Sequence, residues 1–528
     1  MDRRAFLVGT MGAALLRQWS ADVLAQVGAP PPSQSWDAGR LRHLLPTVDA
    51  SRCLVKASFT EPLAAAPTLT VGSTRTVGRM TDTAGEHWQF RTDGLSPGRR
   101  YSLALLDASG SSLCEPWSLS TFPDAGSLPD RCRGVFFTCA GGTESDSLSR
   151  GNLPTAIRNR LLRRALSFEP DWAVANGDHV YWDLHSPRVP RERRNTARLD
   201  AFDRSADVFG STNETVLKRV AGPQIMPVYG TDFRSTPVFF LQDDHDYFDN
   251  DEGMDEIVTF PPPWFQLQLA RATQRLYYPE FLPDPTRPSG LPWGSVGQGA
   301  GVSESFGTVR FGRLAEVLLY DVRRTLTLAG PSAALIDGEV ERWLIGRTAS
   351  SDAIHVVHGP SNPPGWTAGK WGEWYPDVLA DGGLTTSVAK PYWQAGWLAQ
   401  HDRLMAAIAA AEHRIPLVVS GDLHAIASGR MLRAGSHDFQ GNPITTVLAG
   451  PIGTGPGGWP SAFRGIGATP PSHIDLHADV EPIEQHGFTL VDFLRDRIVL
   501  RLFAWDVKSQ SPEAIEGLEP FEILELGR

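Results

Sequence analysis

A chain of 528 residues is too long for one small domain, and 41% hydrophobic with 21% charged residues places it among globular rather than disordered proteins. A net charge of −11 excludes a general binder of nucleic acid or of anionic membrane, so an anionic substrate requires a local positive site such as metal ions or arginines. The 41 prolines and 51 glycines imply long, shaped loops.

The chain opens on Asp2-Arg3-Arg4-Ala5-Phe6-Leu7, an apolar run to Leu16, and the small-residue site Val23-Leu24-Ala25. Residues 1–25 therefore resemble a twin-arginine signal. The expected partner is the twin-arginine export machinery, and the expected location is periplasmic or extracellular. The run falls short of the roughly 18 apolar residues that a membrane span needs, so no stable membrane insertion is expected. Residues 26–43 read as a linker rich in Pro and Ser. Of the four cysteines, Cys53, Cys114, Cys132 and Cys139, some are expected to pair in an oxidising compartment. Cys53 and Cys114 could bridge strands of the first segment, but the sequence leaves the pairing open.

Residues 44–125 read as an all-β domain. Short strands are predicted at Cys53–Phe59, Thr68–Val71 and His87–Phe90. The stretch Leu95-Ser96-Pro97-Gly98-Arg99-Arg100-Tyr101 resembles the tyrosine corner of fibronectin type III-like sandwiches. The pattern changes in residues 130–528, where strands alternate with amphipathic helices. Strands are predicted at Gly134–Thr138, Trp172–Ala175, Pro237–Leu241, Val317–Tyr320, His355–Val357 and Pro416–Val419, and helices at Pro154–Ser167, Gly338–Thr348 and Gln394–Ala411. The C-terminal part returns to β at Ile444–Leu448, Gly487–Phe493 and Arg497–Ala504. Parallel βαβ units followed by antiparallel hairpins predict a layered α/β sandwich. Gly290 to Gly301 reads as a Gly-rich linker or a site rim.

Polar clusters follow the apolar strands. Thr138-Cys139 ends the first. Asp178, His179 and Tyr181 end the second, after the strand-breaking Asn176-Gly177. Gln242-Asp243-Asp244-His245-Asp246 ends the third, with Asp249, Asn250 and Asp251 behind it. His358 and then Gly421-Asp422-Leu423-His424 end two more. In an open α/β sheet the carboxyl edge of the strands is where ligands bind. So many carboxylates at one edge repel and raise each other's pKa unless cations compensate them. Carboxylate, imidazole and phenolate are suitable donors, and a bridging carboxylate can hold two metals about 3.5–4 Å apart. Each cluster taken singly also has a bland reading, as a turn, a cap or a core histidine; their ordered recurrence points to one site.

The order Cys139, Gly177-Asp178-x-x-Tyr181, Asp243-Asp244-His245-Asp246, His358, Gly421-Asp422-x-His424 resembles the calcineurin-like metallophosphoesterases, and within them the alkaline phosphatase D (PhoD-like) family. The likeness covers about residues 130 to 510. Asp321-Val322-Arg323 and Glu341-Arg342-Trp343-Leu344 resemble further segments of that family. The resemblance implies a layered α/β/β/α sandwich preceded by a small fibronectin type III-like all-β sandwich. It also implies a phosphoesterase acting on phosphate mono- or diesters through attack of a metal-bound hydroxide.

The implied roles fall on single residues. Cys139, Asp178, Tyr181 and His424 would hold Fe³⁺, with Asp178 bridging. Asp244, Asp422 and His358 would hold a second, divalent ion, Ca²⁺ first, with Zn²⁺ or Mn²⁺ as alternatives. His245 would protonate the leaving alkoxide, and Arg323 would stabilise the equatorial phosphoryl oxygens or else pair with Asp321. The segment from Ser361 to Trp374 does not match the family pattern and is expected to shape substrate access. Within it Trp366, Trp371 and Trp374 could stack on a base or sugar, or simply pack. Two rival readings are an iron oxidoreductase and a binding protein whose working part is the sandwich.

Overall fold

In the computed structural model the described residues are 36–143, 152–182, 202–247, 261–262, 264–282, 284, 286–288, 305–380, 383–387 and 390–527. The export-signal reading, the Gly290–Gly301 loop and Asp249 to Asp251 lie outside them.

Two four-stranded antiparallel sheets form the N-terminal sandwich. One joins Leu41–Val48, Cys53–Phe59, His87–Thr92 and Arg79–Met80; the other joins Thr74–Val77, Thr68–Val71, Arg100–Leu106 and Trp117–Ser120. The first strand begins at Leu41, inside the stretch read as linker, because Leu41, Leu44 and Leu45 are buried. The tyrosine corner is present: the Tyr101 hydroxyl accepts the Ser96 amide at 2.7 Å. The expectation of paired cysteines is not met. All four cysteines are free and buried, Cys53 and Cys114 packing in the sandwich core as small hydrophobes.

The remainder is a layered α/β/β/α sandwich. A six-stranded sheet runs Val238–Leu241, Trp172–Asn176, Arg131–Phe137, His486–Leu494, Arg497–Trp505 and Glu522–Gly527. Its first three strands are parallel and, apart from Arg131, buried, which suits the apolar runs at 135–137, 172–175 and 238–241. An eight-stranded sheet carries Phe306–Phe311, Ala315–Tyr320, His355–Pro360, Leu417–Ser420, Ile444–Ala449 and Ile426–Ala434 as its main run. Phe136, Val174 and Leu241 of one sheet share a core with Val317, Leu319, Val357 and Val419 of the other. Outside the six-stranded sheet lie helices Thr155–Leu166 and Thr212–Tyr229; outside the eight-stranded sheet lie Gly338–Ser350 and Ala395–Ala409.

Asp337 caps the Gly338–Ser350 helix by accepting the amides of Glu339 and Val340. Thr212–Tyr229 is not among the predicted helices, and it holds Pro223 and Pro227, which oppose helix locally. The helix persists because tertiary packing buries its flank and Asn159 Nδ2 donates to the carbonyls of Pro227 and Val228 at 3.0 and 2.6 Å. Among the described residues no helix is long and apolar enough to cross a membrane.

Candidate metal centre

The parallel strands of both sheets end at one edge, and the polar residues that follow them meet there. Trp172–Asn176 lies between Arg131–Phe137 and Val238–Leu241, so Cys139, Asp178 and Asp243–Asp246 are brought side by side. Leu417–Ser420 delivers Asp422 and His424 from the facing sheet. Thr138 ties the two edges together: its hydroxyl donates to the Asn176 carbonyl at 2.5 Å and accepts the Asp422 amide at 3.3 Å. Asn176 Nδ2 donates to the Pro360 carbonyl across the sheets at 3.0 Å.

This close meeting strains the chain. Cys139, Asp178, Asp422 and His424 all have positive φ, at 52°, 57°, 71° and 48°. Such backbone is unfavourable for these residues unless the surroundings impose it, and it clusters at functional sites. Gly177, at φ 80°, has no alternative here, because a Cβ would stand 2.6 Å from that of Asp243.

Four donor atoms converge. Asp178 Oδ2 lies 3.3 Å from Cys139 Sγ and 3.2 Å from the Tyr181 hydroxyl, which is 3.4 Å from His424 Nε2. Those separations are what adjacent ligands around one transition-metal ion need, with metal–ligand bonds of roughly 2.0–2.3 Å. His424 is already oriented for coordination, since its Nδ1 faces the Gly458 carbonyl at 2.9 Å, which turns Nε2 to the centre. Burial lowers its pKa to about 3, so the imidazole is neutral. Burial, followed by repulsion from Asp178, pushes the Cys139 thiol and the Tyr181 phenol well above their usual ranges. Burial and the neighbouring Asp244 push Asp178 up in the same way. A cation among them reverses each of these penalties, so the donor set fits a metal.

A second group adjoins the first. Carboxylate oxygens of Asp243, Asp244 and Asp422 lie within 4.8 Å of one another, as do donor atoms of Asp178, Asp244 and His245. Asp244 Oδ1 and Asp243 Oδ2 are buried with no hydrogen-bond partner among the described residues. His245 packs against Tyr181 with ring centroids 4.1 Å apart and the rings tilted by 35°.

Two of the expected roles are corrected. His358 does not reach the carboxylates. Along His355–Pro360 successive side chains alternate, and His358 shares with Val356 the face turned toward the Gly338–Ser350 helix. Its Nδ1 meets the Tyr320 hydroxyl at 3.2 Å and its Nε2 the Thr348 hydroxyl at 2.8 Å, so it is a satisfied core histidine. Arg323 stands behind the acids and is fully buried. Its Nε donates to Asp243 Oδ1 at 2.8 Å, its Nη1 to the Gly372 carbonyl at 2.7 Å, and Nη2 lies 3.6 Å from Asp422 Oδ2. The guanidinium therefore pairs with Asp243 rather than Asp321, whose Oδ1 accepts the backbone amides of Arg323 and Arg324.

Several participants were not foreseen. Asp246 accepts the amides of Asp178, His179, Val180 and Asp243 at 2.9–3.1 Å, fixing both acidic loops. Gln224 Oε1, from the proline-containing helix, accepts the amides of Gly142 and Tyr181 at 2.8 and 2.9 Å. Lys370 Nζ donates to Asp244 Oδ2 at 2.8 Å and to Asp422 Oδ1, and Asn362 Nδ2 donates to Asp422 Oδ2 at 2.8 Å. Asp246 lies within one of the polar clusters, and Asn362 and Lys370 lie within the divergent Ser361–Trp374 segment, but nothing local assigned them a role; Gln224 had no signal at all. Trp366 and Trp374 are fully buried, so they pack rather than stack on a ligand. Outside this site, Asp82, Glu86 and His87 also lie together, but Lys218 neutralises them at 2.7 Å from Asp82 and 3.0 Å from Glu86.

The fold has solved counterparts. A structure of PhoD matches with a TM-score of 0.56 at 14% identity, covering 90% of this chain and 88% of that one. The purple acid phosphatase PPD1 from yellow lupin (Lupinus luteus) seeds matches with a TM-score of 0.56 at 11% identity, covering 93% of this chain and 75% of that one. No protein-family model and no curated relative matches the chain. The chain thus shares the overall fold of PhoD and of the purple acid phosphatase.

Proposed function

We propose that this chain is an exported, metal-dependent hydrolase of phosphate mono- or diesters, with alkaline phosphatase or phosphodiesterase activity. The convergence of Cys139, Asp178, Tyr181 and His424 on one point at the strand edge carries this reading. These four residues would hold the metal. A thiolate and a phenolate are anionic donors suited to Fe³⁺. When bound, the ion supplies Lewis acidity toward a phosphoryl oxygen. A divalent ion in the adjoining group, calcium by the family resemblance, has to compete with Lys370 for Asp244 and Asp422.

The chain's own residues supply the rest. His245, packed against Tyr181 beside the cluster, is the acid that protonates the leaving alkoxide. Asp178 accepts the His245 amide at 3.3 Å and so holds acid and metal ligands in one frame. Arg323 braces Asp243 and Asp422 from behind as a positioning residue. Export by the twin-arginine route, and a periplasmic or extracellular location, rest on the pattern in residues 1–25.

The test is turnover of p-nitrophenyl phosphate and bis(p-nitrophenyl) phosphate by purified protein, before and after removal of metal with a strong chelator. At least one ester is expected to be hydrolysed, the activity falling on chelation and returning with added metal. Failure of the metal-loaded protein to hydrolyse either ester would overturn the proposal.

A further inference from the structure

In the adjoining group Asp243 Oδ2 and Asp244 Oδ1 have no hydrogen-bond partner among the described residues, but the oxygens that Asp244 and Asp422 turn toward each other already share a cation. Both oxygens of Asp422 are engaged, Oδ1 by the Lys370 ammonium and Oδ2 by the Asn362 amide at 2.8 Å. Asp244 Oδ2 receives the same ammonium at 2.8 Å. Lys370 is 6% exposed, so water does not screen these contacts. The imidazole expected to complete a second metal set, His358, faces the opposite side of its strand.

Lys370 is held in place by its surroundings. The preceding Gly369 has φ 70°, a turn that delivers the lysine into the cluster. Glu373 accepts the Thr367 hydroxyl at 2.5 Å, the Ala368 amide at 3.1 Å and Lys390 Nζ at 2.9 Å. Lys390 also donates to the Lys370 carbonyl, and Arg464 donates to the carbonyls of Ala368 and Gly369. Glu373 and Lys390 are themselves buried. This is a fixed loop carrying a compact point charge with three donors, in the divergent stretch of sequence between Ser361 and Trp374.

We propose that the Lys370 ammonium takes the place of the second metal ion, so that the site works with one ion, held by Cys139, Asp178, Tyr181 and His424, and one fixed lysine. The inference rests on the phosphoesterase reading and narrows it. A divalent ion placed on Asp244 and Asp422 would meet the ammonium on the same oxygens and be repelled at contact distance. An ion held by those four residues would supply one positive centre and Lys370 the other, so that a phosphoryl group would meet two cations, as two metals provide elsewhere.

Metal stoichiometry tests this without reference to activity. Full-length protein is equilibrated with iron and then with excess Mn²⁺, freed of unbound metal, and analysed by elemental mass spectrometry. Wild type is expected to retain one ion per chain, and Lys370→Ala two, because Asp244 then loses its ion-pair partner and Asp422 keeps only the more distant Arg323, 3.6 Å away. Turnover of Lys370→Ala should be at least tenfold below wild type and be restored by added Mn²⁺. Two ions in wild type overturn the inference and leave the phosphoesterase reading standing. Should Lys370→Ala not fold, the wild-type stoichiometry decides alone. A folded Lys370→Ala that still binds one ion overturns the inference. No bound metal in wild type overturns both readings.

Discussion

Asp178 joins the two halves of the candidate centre: one oxygen reaches Cys139 and Tyr181, the other the His245 amide. Burial and its acidic neighbours push its pKa up, so it needs a cation to remain ionised. Asp178→Asn keeps the size and loses the charge. It is expected to abolish metal retention in elemental analysis and, with it, ester hydrolysis. His245→Ala should behave differently: turnover is expected to fall by roughly 10²–10⁴-fold, the usual range for a general acid, with metal content near wild type. Unchanged turnover would reassign the acid. At this scale the sequence was informative: Cys139, Asp178, Tyr181, Asp244, His245, Asp422 and His424 do meet at one strand edge. His358 was misjudged because strand alternation, which the sequence left free by one residue, turns it to the helix side.

At the scale of elements, the loops after the strands are held by residues that touch no expected ligand atom. Gln224 ties the loop after Arg131–Phe137 to the loop after Trp172–Asn176 through two buried amides. Gln224→Ala leaves both donors unsatisfied, at about 1–3 kcal/mol for each. The expected result is a lower melting temperature together with metal affinity weakened by about 10–100-fold, as for other residues that orient ligands. A melting curve and a chelator competition on the same variant separate the two effects. The ligand-bearing strands were legible because buried parallel strands read as short apolar runs closed by polar residues. The helix that supplies Gln224 was not, since its two prolines contradict local propensity and only packing overrides them.

Across the whole molecule, the sandwich is fastened to the larger domain by charged groups that are out of water. Lys56, on Cys53–Phe59, pairs with Glu280 at 3.2 Å and donates to the Arg275 carbonyl at 2.9 Å. Glu280→Ala strands a buried ammonium and is expected to cost about 3–5 kcal/mol. Limited proteolysis should then release the sandwich faster than in wild type; an unchanged cleavage rate would show that this pair is not a fastener. Buried histidines weaken the fold in acid. Burial lowers His43 to about 3 and His486 to about 4 from an ordinary value of 6.5. Between those values and 6.5 the unfolded chain binds protons that the folded chain does not, so stability is full above pH 6.5 and declines as pH falls below it. His43→Phe removes one such group, whose ring nitrogens have no hydrogen-bond partner among the described residues. Denaturant unfolding at pH 7.5 and 5 should show a shallower decline for that variant.

What the sequence by itself determined is the order of apolar strands, the polar clusters that end them and the layered class they build, because strand period, burial and turn chemistry are local properties. The tyrosine corner at Tyr101 belongs to the same group. What only the tertiary structure decided is which side chains share a point in space. Lys370 on Asp244 and Asp422, Arg323 behind Asp243, Gln224 beneath two loops and the free, buried cysteines each depend on contacts between residues far apart in the chain. Such contacts are set by how sheets stack and loops close, and residue spacing carries no record of them.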